Sequence, residues 1–149
     1  KQRITPSHNY LKYWRIIRYW AKAKYGFSVG DLDMMLFLYS ENFFNKKTFH
    51  EYAEMMSWDR TRFKKLIDRG YIRLWREGKG REGNIYELSF KSKRAVSSIY
   101  AKLNGEEIGE GPRVNPLFKD DVKYMDKVYR NAIIELNKSI KQPPRHALE

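Results

Sequence analysis

A mainly α-helical fold carrying one small β-hairpin is what this chain predicts, and three observations predict it. Apolar residues recur at helical spacing near both ends, at Tyr10, Trp14, Ile17 and Ala21, and again at Phe118, Val122, Met125, Tyr129, Ala132, Ile133, Leu136 and Ile140. Mid-chain, Thr48-Phe49-His50-Glu51 has the form of a capping box, a hydroxyl that accepts from first-turn amides and a carboxylate that reaches back. Residues 71–77 and 84–90 have the composition of strands and flank the tip Gly78-Lys79-Gly80-Arg81-Glu82-Gly83. A length of 149 residues fits one domain, 1–149, with a core over 28–103 and helical arms at 7–25 and 116–141.

Taken in order, Thr5-Pro6-Ser7 signals a helix start, and Tyr13, Ile16 and Trp20 widen the first stripe so that this helix has two apolar faces to satisfy. Tyr25-Gly26-Phe27 breaks it, and Ser28 is placed to cap the next. Residues 32–44, with Met35, Leu36, Leu38 and Tyr39, are too continuously apolar for a surface helix and read as the central core helix. The helix opened at Thr48 should end near Met55 or Met56. Ser57 should then cap a second helix, with Asp59, Phe63, Leu66 and Ile67 on one side and Arg60, Thr61, Lys64 and Lys65 facing away. Gly70 ends that helix as a residue that tolerates the left-handed conformation.

After the hairpin, residues 91–103 form a further helix with Val96, Ile99, Tyr100 and Leu103 on one side. Residues 104–114, with Gly105, Gly109, Gly111 and Pro112 among acidic residues, read as a flexible connection. Residues 117–140 read as one amphipathic helix of roughly 36 Å at 1.5 Å per residue. That is longer than one small core covers, which favours a homodimer joined through residues 8–24 and 117–140; packing on its own domain is the alternative. Gln142-Pro143-Pro144 stops the helix, and the tail beyond is expected to be disordered. Leu148-Glu149 fits a cloning scar, and Lys1 is not a natural initiator.

The formal net charge of +12 points to a polyanionic partner. Its placement is sharper: residues 58–94 hold twelve basic residues against five acidic ones, and residues 1–27 hold seven against none. There is no cysteine, so disulfides, thiolate metal sites and cysteine nucleophiles are excluded. His8, His50 and His146 have no metal-ligand spacing. No apolar run approaches the ~20 residues that span a bilayer, and no signal-peptide pattern is visible. A soluble, cytoplasmic protein without cofactor is expected, or one of the equivalent host compartment if the chain is viral. Gly78, Gly80 and Gly83 spell G-x-G-x-x-G, but that fingerprint works between a strand and a helix N-terminus, and here strand-like residues lie on both sides. With no activated nucleophile, paired carboxylates or phosphate loop, the chain does not read as an enzyme.

Two short helices followed by a basic hairpin read as a winged helix-turn-helix, a DNA-binding device. The full order of elements resembles the multiple antibiotic resistance regulator (MarR) family, over nearly the whole chain. The best local match is Phe63-Lys64-Lys65-Leu66-Ile67-Asp68-Arg69-Gly70-Tyr71-Ile72, which is similar to that family's exit from the recognition helix. The resemblance implies a dimer joined by first and last helices that binds pseudo-palindromic double-stranded DNA. Carried over, it puts Arg60, Thr61, Lys64 and Lys65 on the groove face and Lys79 and Arg81 at the wing tip. The family's Asp-x-Arg wing element is missing here. Arg81 is placed to serve the same contact, with Glu82 a weak candidate for its orienting carboxylate.

On that helix face Arg60 and Lys64, one turn apart, can donate to guanine or to phosphates, and Thr61 can meet a base or a thymine methyl. Lys65, Arg73 and Arg76 read as backbone-positioning cations, and Lys91, Lys93 and Arg94 as phosphate contacts or solvated charges. The resemblance also allows a small aromatic effector near Tyr10, Tyr13, Trp14, Tyr19, Trp20 and Tyr25, although core packing explains these residues more simply. The competing reading is an architectural or protein-interaction factor, for example in phage or plasmid replication, that reuses the winged fold without strong sequence preference.

Overall fold

The computed structural model describes residues 2–3 and 10–141. The fold is mainly helical with a small three-stranded antiparallel sheet. The chain forms two compact units, one of residues Ser28–Val96 and the other of the described residues before Ser28 and after Val96. The starting signal Thr5-Pro6-Ser7, Lys1, and the stretch from Gln142 to Leu148-Glu149 lie outside the described residues.

The Ser28–Val96 unit begins with α2, Val29–Glu41, which follows the first helix α1, Tyr10–Tyr25. Ser28 caps α2 as expected, its Oγ accepting from the Asp31 amide at 3.0 Å. Leu32, Met35 and Leu38 are fully buried, so α2 is the core helix of this unit. It stops at Glu41 and not at residue 44, because Asn42 turns into positive φ (64°) and returns its N–H to the Leu38 carbonyl. The chain is thereby released into a two-residue strand, β1, Phe44–Asn45.

β1 changes how the next helix starts. Asn45 holds extended backbone, and its Oδ1 accepts from both the Thr48 amide (2.7 Å) and the Thr48 hydroxyl (2.8 Å). Asn45 is therefore the cap of α3, Lys46–Met56, and the expected capping box at Thr48 is replaced by a cap three residues earlier. Ser57 also takes a different role: at φ 58° it is the left-handed exit of α3. The next turn is held by Asp59, whose Oδ1 accepts from the Thr61 amide at 3.0 Å, and α4 covers only Arg62–Asp68. Arg60 and Thr61 thus precede the helix, and exposed Asp59 is not on its inner side. Phe63 and Leu66 are buried as expected, Ile67 is partly exposed, and Gly70 ends the helix at φ 73°.

The hairpin is close to its expected bounds, β2 Ile72–Arg76 and β3 Ile85–Leu88. β3 is central, pairing with β1 on one side and β2 on the other, both antiparallel. Phe44 and Leu74 both stand opposite Tyr86, and the Tyr86 ring meets Phe63 of α4 at 5.0 Å. That face of the sheet closes the core, where Phe49 meets Phe63 at 5.1 Å and Ile72 and Leu88 are buried. α5, Phe90–Leu103, follows directly.

In the other unit, Ile17, Trp20 and Ala21 of α1 are buried, as are Ile133 and Leu136 of α6, Tyr124–Lys141. Tyr19 stacks flat on Tyr129 at 3.8 Å between ring centroids and donates its hydroxyl to Asp126 at 2.6 Å. The expected helix from 117 is divided: Pro116–Phe118 is one 3₁₀ turn capped by Asn115, and α6 starts six residues later. Arg130 stabilises that break by donating to the Leu117 carbonyl (2.8 Å) and the Lys119 carbonyl (2.6 Å), acceptors that a continuous helix would have satisfied itself. At 18 residues α6 extends roughly 27 Å, so the length argument for a dimer weakens. The segment 104–114 is irregular but anchored. Ile108 is buried, and Asn137 brackets it, accepting from its N–H at 3.0 Å and donating to its carbonyl at 2.8 Å. No helix among the described residues is long and apolar enough to cross a membrane.

Candidate nucleic-acid interface

Helix α4 has an inner and an outer half because its sequence alternates with the helical turn. Phe63 and Leu66 enter the core, while Lys64 and Lys65 are exposed together with Arg60 and Thr61 of the preceding turn. These four residues, singled out from the sequence, form one outward group. Arg60, Lys64 and Lys65 have no ion-pair partner among the described residues.

What holds this group in place was not visible in the sequence. Asp31, in the first turn of α2, is 1% exposed and takes two arginines of the α4 region: Arg62 at 3.2 Å on one oxygen and Arg69 at 2.7 Å on the other. The two guanidiniums bracket the helix at its beginning and end. They are tied to the protein and so differ in role from Arg60 and Lys64. Lys91 of α5 adds a tether, donating to the Arg69 carbonyl at 2.8 Å.

Asp59 is an acid beside the basic group. Its carboxyl is held below the usual carboxylate range, first by the hydrogen bond from the Thr61 amide, then by the Thr61 hydroxyl and by Lys65 and Arg62. It therefore stays ionised at neutral pH and keeps the Arg60–Thr61 turn closed.

On the hairpin the predicted residues separate. Lys79 and Arg81 are exposed at the tip, where Gly80 and Gly83 take φ of 98° and 64°. Gly78 is required for a different reason, since a Cβ there would sit 1.6 Å from the Gly83 carbonyl oxygen. Strands lie on both sides of these glycines, so the dinucleotide geometry is absent, as expected. Arg73 is not a free cation: it lies 3.6 Å from Glu87, which also pairs with Lys93, and its guanidinium covers the Phe90 ring at 5.1 Å. Arg76 is exposed and stacks over Trp75 at 5.2 Å.

Of the aromatic residues of α1, Trp20 is buried with Tyr25 edge-on at 5.8 Å, and Tyr19 lies on Tyr129 of the same unit. Among the described residues no group of three His, Asp or Glu could hold a metal ion. No known protein family, curated protein or solved structure matches this chain.

Proposed function

We propose that the protein is a sequence-specific, double-stranded DNA-binding regulator built on a winged helix-turn-helix of MarR-like type and acting as a dimer. The observation that carries this reading is the outward group Arg60, Thr61, Lys64 and Lys65 on a short helix whose other side is fixed by Phe63, Leu66 and the Asp31 bridge. The chain order in this unit, helix, strand, helix, helix, hairpin, with β1 beside β3, is the order such a domain requires. A seven-residue helix extends about 10 Å and can lie in a major groove about 12 Å wide.

In this reading Arg60 and Lys64 donate to base edges, Thr61 meets a base or methyl group, and Lys65, Arg76, Lys79 and Arg81 meet phosphates. Arg73 contributes through packing, since Glu87 holds it. Dimerisation rests on Leu11, Tyr124, Met125 and Val128, which are exposed on α1 and α6 while Ile17, Trp20, Ala21, Ile133 and Leu136 are buried within the unit. The operator is then a pseudo-palindrome with half-sites about 10 bp apart.

Arg60→Ala tests the central contact. Loss of a base contact costs on the order of 1 to 3 kcal/mol on the selected duplex and little on a scrambled one. Lys79→Ala, a phosphate contact, lowers affinity on both and reduces the slope of log K against log salt by roughly one. Equal losses on both duplexes for Arg60→Ala would transfer the assignment to an architectural factor, which needs only charge. Light scattering tests the dimer, and a monomer that binds its duplex tightly would remove it.

A further inference from the structure

The hairpin carries aromatic surface that a contact through α4 leaves unused. Leu74 pairs with Tyr86 and Arg76 with Ile85, so Trp75 is the extra residue of a bulge. Phe44, the first residue of β1, is buried on the core side of the sheet, while Phe43, just before the strand, is exposed at the surface. There the Phe43 and Trp75 rings meet, 4.4 Å between centroids and tilted by 43°. Each is left about half bare, Phe43 at 49% and Trp75 at 44%. The Arg76 guanidinium lies over the Trp75 ring, and Lys46 and Lys47, both exposed, follow directly on β1. The nearest strand acid, Glu87, is buried and neutralised by Arg73 and Lys93; Glu77 is the exposed acid of this edge.

The occupant has to satisfy two flat ring faces and a surplus of cations. A second copy of this chain does not at this edge: pairing like edges would set Lys46, Lys47 and Arg76 against the same cations, and the bulge in edge strand β2 interrupts the ladder that strand addition would extend. A duplex does not either, because its base faces are covered by stacking. Unpaired nucleotides do, with a π-face for each ring and a phosphate for each cation. We propose that Phe43, Trp75 and Arg76 form a stacking site for an unpaired base of single-stranded nucleic acid. The two rings lie away from α4, the site shares only Arg76 with the proposed duplex contact, and the stacking does not rest on that contact.

The test compares a thymidylate dodecamer, a uridylate dodecamer and an abasic sugar-phosphate strand of equal length, followed by fluorescence anisotropy and by quenching of tryptophan emission. The wild-type protein binds a base-bearing strand more tightly than the abasic one and is quenched by it. Trp75→Ala weakens base-bearing strands by about tenfold, leaves the abasic strand and the duplex unchanged, and abolishes the quenching; Trp75→Phe retains most of the affinity. If Trp75→Ala fails to fold, Phe43→Leu, which keeps apolar bulk without a ring face, gives the same contrast. Equal wild-type affinity for base-bearing and abasic strands overturns the proposal. So does Trp75→Ala that binds strands normally but loses self-association or capture of a protein partner. Loss of duplex specificity in Arg60→Ala with strand binding intact separates failure at one site from failure at the other.

Discussion

Replacing Asp31 by alanine removes a buried carboxylate and leaves two arginines without their anchor. The magnitude lies between two limits. Deleting one partner of a fully buried pair costs about 3 to 5 kcal/mol, whereas an exposed pair contributes at most about 1 kcal/mol. Here the carboxylate is 1% exposed, but the Arg62 and Arg69 side chains are 32% and 48% exposed and can turn to water once released. That recovery brings the expected loss to about 2 to 3 kcal/mol, below the buried limit and above the exposed one. Urea unfolding measures it, and Asp31→Asn, which keeps the shape and part of the hydrogen bonding, should fall between wild type and alanine. Because both arginines flank α4, amide exchange should accelerate first over Arg62–Asp68. A loss under about 0.5 kcal/mol, the scale of a solvated pair, or exchange unchanged in α4, would refute the claim that this bridge seats the helix.

Asn137→Ala should cost roughly 2 to 4 kcal/mol, since it strands the buried N–H and carbonyl of Ile108 together; unchanged exchange protection of the Ile108 amide would contradict this. Tyr19 is pushed up to about 12, first by its hydrogen bond to Asp126 and then by burial, and Tyr52 to about 12 by burial and by Glu41. Both folded values lie above the ordinary tyrosine value of 10.0, so their contribution to stability is complete below that pH and is lost as pH rises toward 12. Phenolate absorbance should therefore show two late-titrating tyrosines, and Tyr19→Phe should flatten the alkaline fall in stability. Titration of both with the ordinary group would exclude the two hydrogen bonds.

Several elements were legible because a single turn of chain contains the reason for them. Ser28 can cap α2 with nothing beyond Asp31, three residues on. Gly70 tolerates the left-handed turn by lacking a Cβ, and the hairpin follows from two short β-forming runs around glycines. The exposed set Arg60, Thr61, Lys64 and Lys65 was likewise readable, because Phe63 and Leu66 fix which way the helix turns.

The misread positions depend on partners that sequence spacing does not connect. Asn45 displaced Thr48 as the α3 cap because β1 sets its extended backbone, and a two-residue strand has no period to detect. The stripe of residues 117–140 has the spacing of one helix, yet Asn115 and Arg130 satisfy the backbone at a break before Tyr124. The pairing of Arg73 with Glu87 is set in the same way, by β3 lying beside β2, which no spacing in the sequence announces.

By itself, then, the sequence determined a mainly helical chain with a basic hairpin and the direction in which its cations face, since local sterics and hydrophobic period decide these within a turn or two. The tertiary structure alone decided which cations are free. Asp31 is 31 and 38 residues from the arginines it holds. Only when α2 and α4 pack does one buried carboxylate choose Arg62 and Arg69 and leave Arg60 and Lys64 to solvent. The physical reason is that pairing in a low-dielectric core depends on distance in space, which sequence separation does not encode.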